Sequence, residues 1–233
     1  MILMIDTPSL NSTLHHTIIK HIIDNGYAPK IYDLANLLRM SEEDTTTALK
    51  NLQDYHGVVL HPKSNEIWVI HPFSLAPTNF LVSSASGEWW GNCAWCSLGV
   101  AALLNQDVVI RTTIGANDRQ VSIHVRDGKI VESDYYIHFP IPMQNAWDNV
   151  IYTCSTMLLF ENENQIDNCC RRHNIPKGDV QPISKIWEFS KVWYGNHLNP
   201  NWEKWTSEEA AQIFKNFGLV SNTWKIPVSN TRF

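Results

Sequence analysis

Five cysteines are the residues of this chain best suited to chemistry. Cys93 and Cys96 stand three apart in Asn92-Cys93-Ala94-Trp95-Cys96-Ser97-Leu98, a spacing that puts both on one face of a helix. The run continuing through Gly99-Val100-Ala101-Ala102-Leu103-Leu104 predicts that helix, with Asn92 as its cap and both cysteines at its start. Unpaired backbone N–H groups at a helix N-terminus favour a thiolate and lower a cysteine pKa below its usual ~8.5. A C-x-x-C in this place leaves three chemistries open: dithiol redox, zinc, or a softer metal. Thioredoxin-like redox calls for a framing βαβ unit, which the flanking sequence lacks. Structural zinc needs four ligands in two spaced pairs. Cys93 and Cys96 with Cys169 or Cys170 and His173 would supply four, at a spacing that matches no common zinc module. Cys154 falls in an alternating run (Val150, Tyr152, Cys154, Thr156, Leu158, Phe160) that predicts a strand. Cys169 and Cys170 occupy a polar helix beside Arg171, Arg172 and His173.

The elements that must position these residues follow from pattern. Leu14, Ile18, Ile19, Ile22 and Ile23 repeat at helical spacing and Asn25-Gly26 stops the helix. Ile31, Leu34, Leu37 and Leu38 mark a second, short helix. Ser41 followed by Glu42, Glu43 and Asp44 caps a third that buries Leu49 and Leu52 and ends at Gly57. Val58-Val59-Leu60 and Ile67-Trp68-Val69-Ile70 flank the turn at Pro62-Lys63-Ser64-Asn65. Three helices and a hairpin make a winged-helix-like N-terminal domain over residues 1–80. A strand-rich core is expected over 81–233, with strands at 108–113, 120–125, 130–141 and around Cys154, and helices near 164–173, 184–194 and 207–217. Strands in runs followed by helices in runs predict an α+β fold with mainly antiparallel sheets flanked by helices.

Composition bounds the function. The chain has 233 residues, 44% of them hydrophobic, enough for a real core. Its net charge of −5 argues against an electrostatic grip on nucleic acid or anionic lipid. Within residues 1–80, five basic residues (20, 30, 39, 50, 63) face eight acidic ones (6, 24, 33, 42, 43, 44, 54, 66). The helix that would enter a DNA groove opens with three acids, so no nucleic-acid partner is expected. No apolar run approaches the ~18–20 residues of a membrane span. Met1-Ile2-Leu3-Met4-Ile5-Asp6 lacks the basic flank and long apolar stretch of an export signal. An odd cysteine count argues against a disulfide framework and for a reducing, cytoplasmic setting. His15, His16, His21, His56, His61 and His71 crowd the first third without metal-ligand spacing, which predicts surface or half-buried roles.

The block from Asn92 to Leu98, followed by Ala102-Leu103-Leu104, resembles the W-C-A-x-D-[TA]-L…A-L motif of organomercurial (alkylmercury) lyases. The strands after it follow at matching distance, and Tyr152-Thr153-Cys154-Ser155 is similar to the family's second cysteine segment. The resemblance covers roughly residues 55–195 and extends to the N-terminal unit by architecture. It implies that 81–233 is a catalytic core that cleaves the carbon–mercury bond to hydrocarbon and Hg(II), without a cofactor. External thiols or a mercuric reductase would then accept the Hg(II). The family's two cysteines fall on Cys93 and Cys154. Its aspartate falls on Cys96, a departure that makes Cys96 either the proton carrier or a third mercury ligand. A cysteine of the family's middle strand is Ile114 here. Two other readings remain: a non-catalytic binder of thiophilic metal on the same fold, and a winged-helix regulator sensing metal or redox.

Overall fold

The computed structural model describes residues 8–227 and 232–233, so the segment read for an export signal lies outside the described residues. Three capped helices come first. Ser9 Oγ accepts the Ser12 N–H at 3.1 Å to open α1 (Leu10–Asn25), and Gly26, at φ 80°, ends it in a left-handed conformation. After α2 (Ile31–Leu38), Ser41 Oγ accepts the Asp44 N–H at 3.0 Å to open α3 (Glu42–Asp54). The expected hairpin follows as β1 (Val59–Leu60) and β2 (Ile67–Ile70).

That hairpin forms one end of an eight-stranded antiparallel sheet. It continues through β3 (Phe73–Ser74), β5 (Gly87–Gly91), β4 (Leu81–Ser84), β6 (Val108–Thr113), β7 (Gln120–Arg126) and β8 (Lys129–Ile130). A smaller sheet pairs β9 (Tyr136–Phe139) with β10 (Leu159–Phe160) on one side and β11 (Asp179–Pro182) on the other. Between β5 and β6 runs α4 (Ala94–Leu104), and the later helices are α5 (Val150–Thr156), α6 (Glu163–His173), α7 (Ile183–Tyr194) and α8 (Ser207–Asn216). The fold is α+β, as the pattern predicts. No helix among the described residues is long and apolar enough to cross a membrane.

Three local expectations need correction. The segment 150–156 is a helix, not a strand. Asn149 Oδ1 accepts the Tyr152 N–H at 2.9 Å, a cap that starts α5, and the buried Val150 and Cys154 are then i and i+4 on its inner face. The exposed Tyr152 stands between them. Alternation of β-branched and aromatic residues mimicked a strand over a stretch too short to separate the two periods. The expected strand at 130–141 is broken. The Glu132 carboxylate accepts the backbone N–H of His124 at 2.7 Å and contacts its ring at 2.8 Å, so the chain leaves the large sheet after Ile130 and enters the small one at Tyr136. Finally, Cys93 rather than Asn92 caps α4.

Helix α4 is apolar on all sides and accordingly buried along most of its length. Close approach on two faces fixes it. A Cβ on Gly91 would lie 2.6 Å from Ser97 Cα, and one on Gly99 would lie 2.5 Å from the Tyr194 ring. Behind α4, Trp95 stacks on Phe189 with ring centroids 4.9 Å apart, and Trp193 on Phe214 at 5.3 Å. Trp89 Nε1 donates to Ile22 O at 2.9 Å and ties α1 to β5.

The contact between α4 and α7 yields a test. Gly99→Ala forces a methyl group into the Tyr194 ring and should destabilise the protein by about 1–3 kcal/mol, as overpacking of a close-packed core does. Chemical denaturation measures this; unchanged stability would contradict the packing described.

Candidate active site

Cys93 closes the start of α4. Its backbone is extended (φ −157°, ψ −176°), and its Sγ accepts the Cys96 N–H at 3.3 Å. Cys96 therefore lies in the first turn, as its spacing predicts. The C-terminal end of α5 meets this turn, where the Ala94 N–H donates to Met157 O at 3.1 Å. That bond brings Cys154 on α5 to the same place as Cys93 and Cys96, although about sixty residues separate them in sequence.

The three cysteines line one pocket of about 510 Å³, counted out to its open mouth. Its walls are mostly apolar, with Trp95, Met143, Trp147, Val150, Met157, Trp193 and Phe233. Met157 Sδ is 3.7 Å from Cys93 Sγ, adding a second soft sulfur beside the thiols. His71, at the end of β2, completes the cluster. Its Nε2 is 3.8 Å from Cys154 Sγ and 3.4 Å from Asn92 Nδ2. Because the Asn92 amide donates, Nε2 is the acceptor of that contact. One ligand atom each from His71, Cys96 and Cys154 lies within 4.8 Å of the others. The histidine was missed by sequence reasoning: it lies more than twenty residues before Cys93 and has no metal-like spacing.

Electrostatics distinguish the three sulfurs. Burial opposes ionisation of Cys96, but hydrogen bonds from Cys154, Cys93 and the Tyr194 hydroxyl, together with the electrostatic pull of His71, outweigh it. Its pKa falls well below the ordinary thiol value. Tyr194 Oη is 3.5 Å from Cys96 Sγ. Burial raises the pKa of Cys93 well above normal. That of Cys154 is raised by its bonds to Cys93 and Cys96, with burial adding to them. The cluster therefore holds its first negative charge on Cys96. Burial also lowers the pKa of His71, and that of His197 to about 3. His197 Nδ1 in turn contacts His71 O at 3.3 Å.

Cys169 and Cys170 lie elsewhere. Cys170 Sγ is 3.8 Å from His138 Nε2, Cys169 opens onto a separate surface pocket, and neither lines the thiol cavity. The four-ligand zinc set with His173 is thus not assembled among the described residues.

Thiolate absorbance checks this ordering. The wild-type thiolate should be present above the lowered Cys96 pKa and disappear as pH falls through it, and Cys96→Ser should abolish the low-pH step. Tyr194→Phe should move that step upward by about 1–2 units, because a hydrogen bond to a charged group contributes ~1.5–3 kcal/mol. A first thiolate appearing only near pH ~8.5, as in free cysteine, would contradict the assignment.

Comparison with known proteins places this site in context. No curated protein matches the chain. The crystal structure of the mercury-bound form of MerB2 shares its fold, with a TM-score of 0.65 at 18% identity, over 83% of this chain and 91% of that one. Residues 73–195 match the profile of the alkylmercury lyases, MerB. That stretch contains Cys93, Cys96 and Cys154 and covers more than half of the sequence, and on it the chain belongs to the alkylmercury lyase family.

Proposed function

We propose that the protein cleaves the carbon–mercury bond of organomercurials by protonolysis. The observation that carries this reading is the convergence of Cys93, Cys96 and Cys154 on one narrow apolar pocket. Mercury is soft and prefers thiolate to oxygen ligands, and the apolar walls suit an alkyl or aryl substituent. Cys96, the first thiol to ionise, captures R–Hg⁺. Ligation by mercury then draws the protons from Cys154 and Cys93, since a coordinated thiol is deprotonated outright. Each added thiolate pushes electron density onto the carbon, which a proton converts to R–H.

By the motif resemblance Cys96 stands where the family has its acid, and its lowered pKa and its place among the sulfurs support a role in holding mercury. Three sulfurs, with His71 alongside, retain Hg(II) until external thiols or a mercuric reductase remove it. Free thiols in such a site fit a reducing, cytoplasmic setting. A protein that captured mercury without cleaving the bond would be a binder on the same fold.

Incubation with methylmercury and excess thiol, followed by assay of methane and Hg(II), separates these readings. Wild type should release methane, and Cys93→Ser and Cys154→Ser should each slow release by at least on the order of 100-fold while remaining folded. Cys169→Ser and Cys170→Ser should be nearly silent. Full activity in Cys154→Ser would overturn the proposal.

A further inference from the structure

With Cys96 holding mercury, and Cys93 and Cys154 giving up their protons as they ligate it, the carbon needs a proton donor that is not itself a mercury ligand. Three groups beside the thiols are already committed. The Tyr194 hydroxyl bonds to Cys96 and holds its proton tightly, because burial and the Cys96 charge raise its pKa. His71 Nε2 accepts from the Asn92 amide, and His197 Nδ1 bonds a backbone carbonyl.

Lys204 remains. It lines the thiol pocket and is only 9% exposed. Among the described residues no carboxylate pairs with its ammonium, which rests 4.2 Å from the Trp147 ring centroid. The other edge of that contact network points to the thiols: the Trp147 ring is 5.3 Å from the His71 ring, and His71 faces Cys154. The backbone is fixed as well, since Arg232 Nη1 donates to Lys204 O at 2.7 Å and Nη2 pairs with Glu203 at 2.9 Å. A long cation held rigidly against an apolar wall, with no acid to neutralise it, is costly to bury and calls for a role.

We infer that Lys204 delivers the proton that releases the hydrocarbon. This rests on the cleavage reading above. The ammonium gives a proton to the mercury-bound carbon, and the C–Hg electron pair becomes the C–H bond. Mercury remains Hg(II), so nothing is oxidised or reduced, and the amine regains a proton from water or from a thiol whose proton mercury displaces on binding its sulfur. Burial supports the role by lowering the Lys204 pKa to about 7, against the pull of Cys96, so that the proton exchanges at neutral pH. Lys204 lies outside the stretch that matches the family profile.

Single-turnover release of methane from methylmercury, measured beside stoichiometric mercury capture, tests the inference. Lys204→Met should capture methylmercury as wild type does but release methane on the order of 100-fold more slowly, the usual contribution of a positioned general acid. Its melting temperature should not fall, because an unpaired buried ammonium is replaced by an apolar side chain of similar shape. Lys204→Arg keeps the charge but holds its proton, and should be slowed comparably. A release rate within about threefold of wild type in either variant would overturn the proton role, as would a loss confined to capture. Absence of methane from wild type would instead overturn the cleavage reading, and this inference with it.

Discussion

Moving a thiolate from water into an apolar pocket costs far more than one hydrogen bond returns. Cys96 can carry charge only because several protein groups replace water around it, and much of the architecture serves that requirement. These groups come from four places in the chain: hydrogen-bond partners at the Cys93 cap, at Cys154 near the end of α5 and at Tyr194 at the end of α7, and the His71 ring just after β2 acting through its electrostatic field. They meet only if α4 lies deep between the sheet and α7. Gly91 and Gly99 permit that depth, and the bond from the Ala94 N–H to Met157 O fixes α5 against its first turn.

The same arrangement sets the chemical preference of the site. Its buried ligands are sulfur and imidazole, with no aspartate or glutamate among the described residues that line the pocket. Such a set is poor for hard cations and good for mercury. A carboxylate in the position of Cys96 would combine weak ligation with ready proton exchange. On the proposed reading, a thiol there favours capture over release and leaves the proton to another group. On that same reading, the division of labour links two features of this chain: a third cysteine in the first turn of α4, and an unpaired lysine in the pocket wall.

Much of this was legible in the sequence where the signal is local. The three-residue spacing of Cys93 and Cys96, the apolar run after them and the Ser41 cap each correspond to structure formed within one element. Cys154 was found through its flanking residues, although the surrounding helix was read as a strand because Val150, Tyr152 and Thr156 have strand-like side chains. His71, Tyr194, His197 and Lys204 were not identified as parts of the site. Their approach to the thiols is tertiary, produced by the ends of β2 and α7 and the loop before α8, and no periodicity encodes such a meeting. The left-out cap is instructive too: Asn92 has the commoner capping chemistry, yet its amide serves His71, and the cysteine next to it takes the helix end.

The central claim is that three thiolates share one mercury ion. X-ray absorption at the mercury edge of the Hg(II)-loaded protein measures this directly. The account predicts three sulfur neighbours in wild type, falling to two in Cys96→Asp, with faster loss of Hg(II) to added thiol. Two sulfurs in wild type, unchanged in Cys96→Asp, would contradict it and leave Cys96 outside the mercury site.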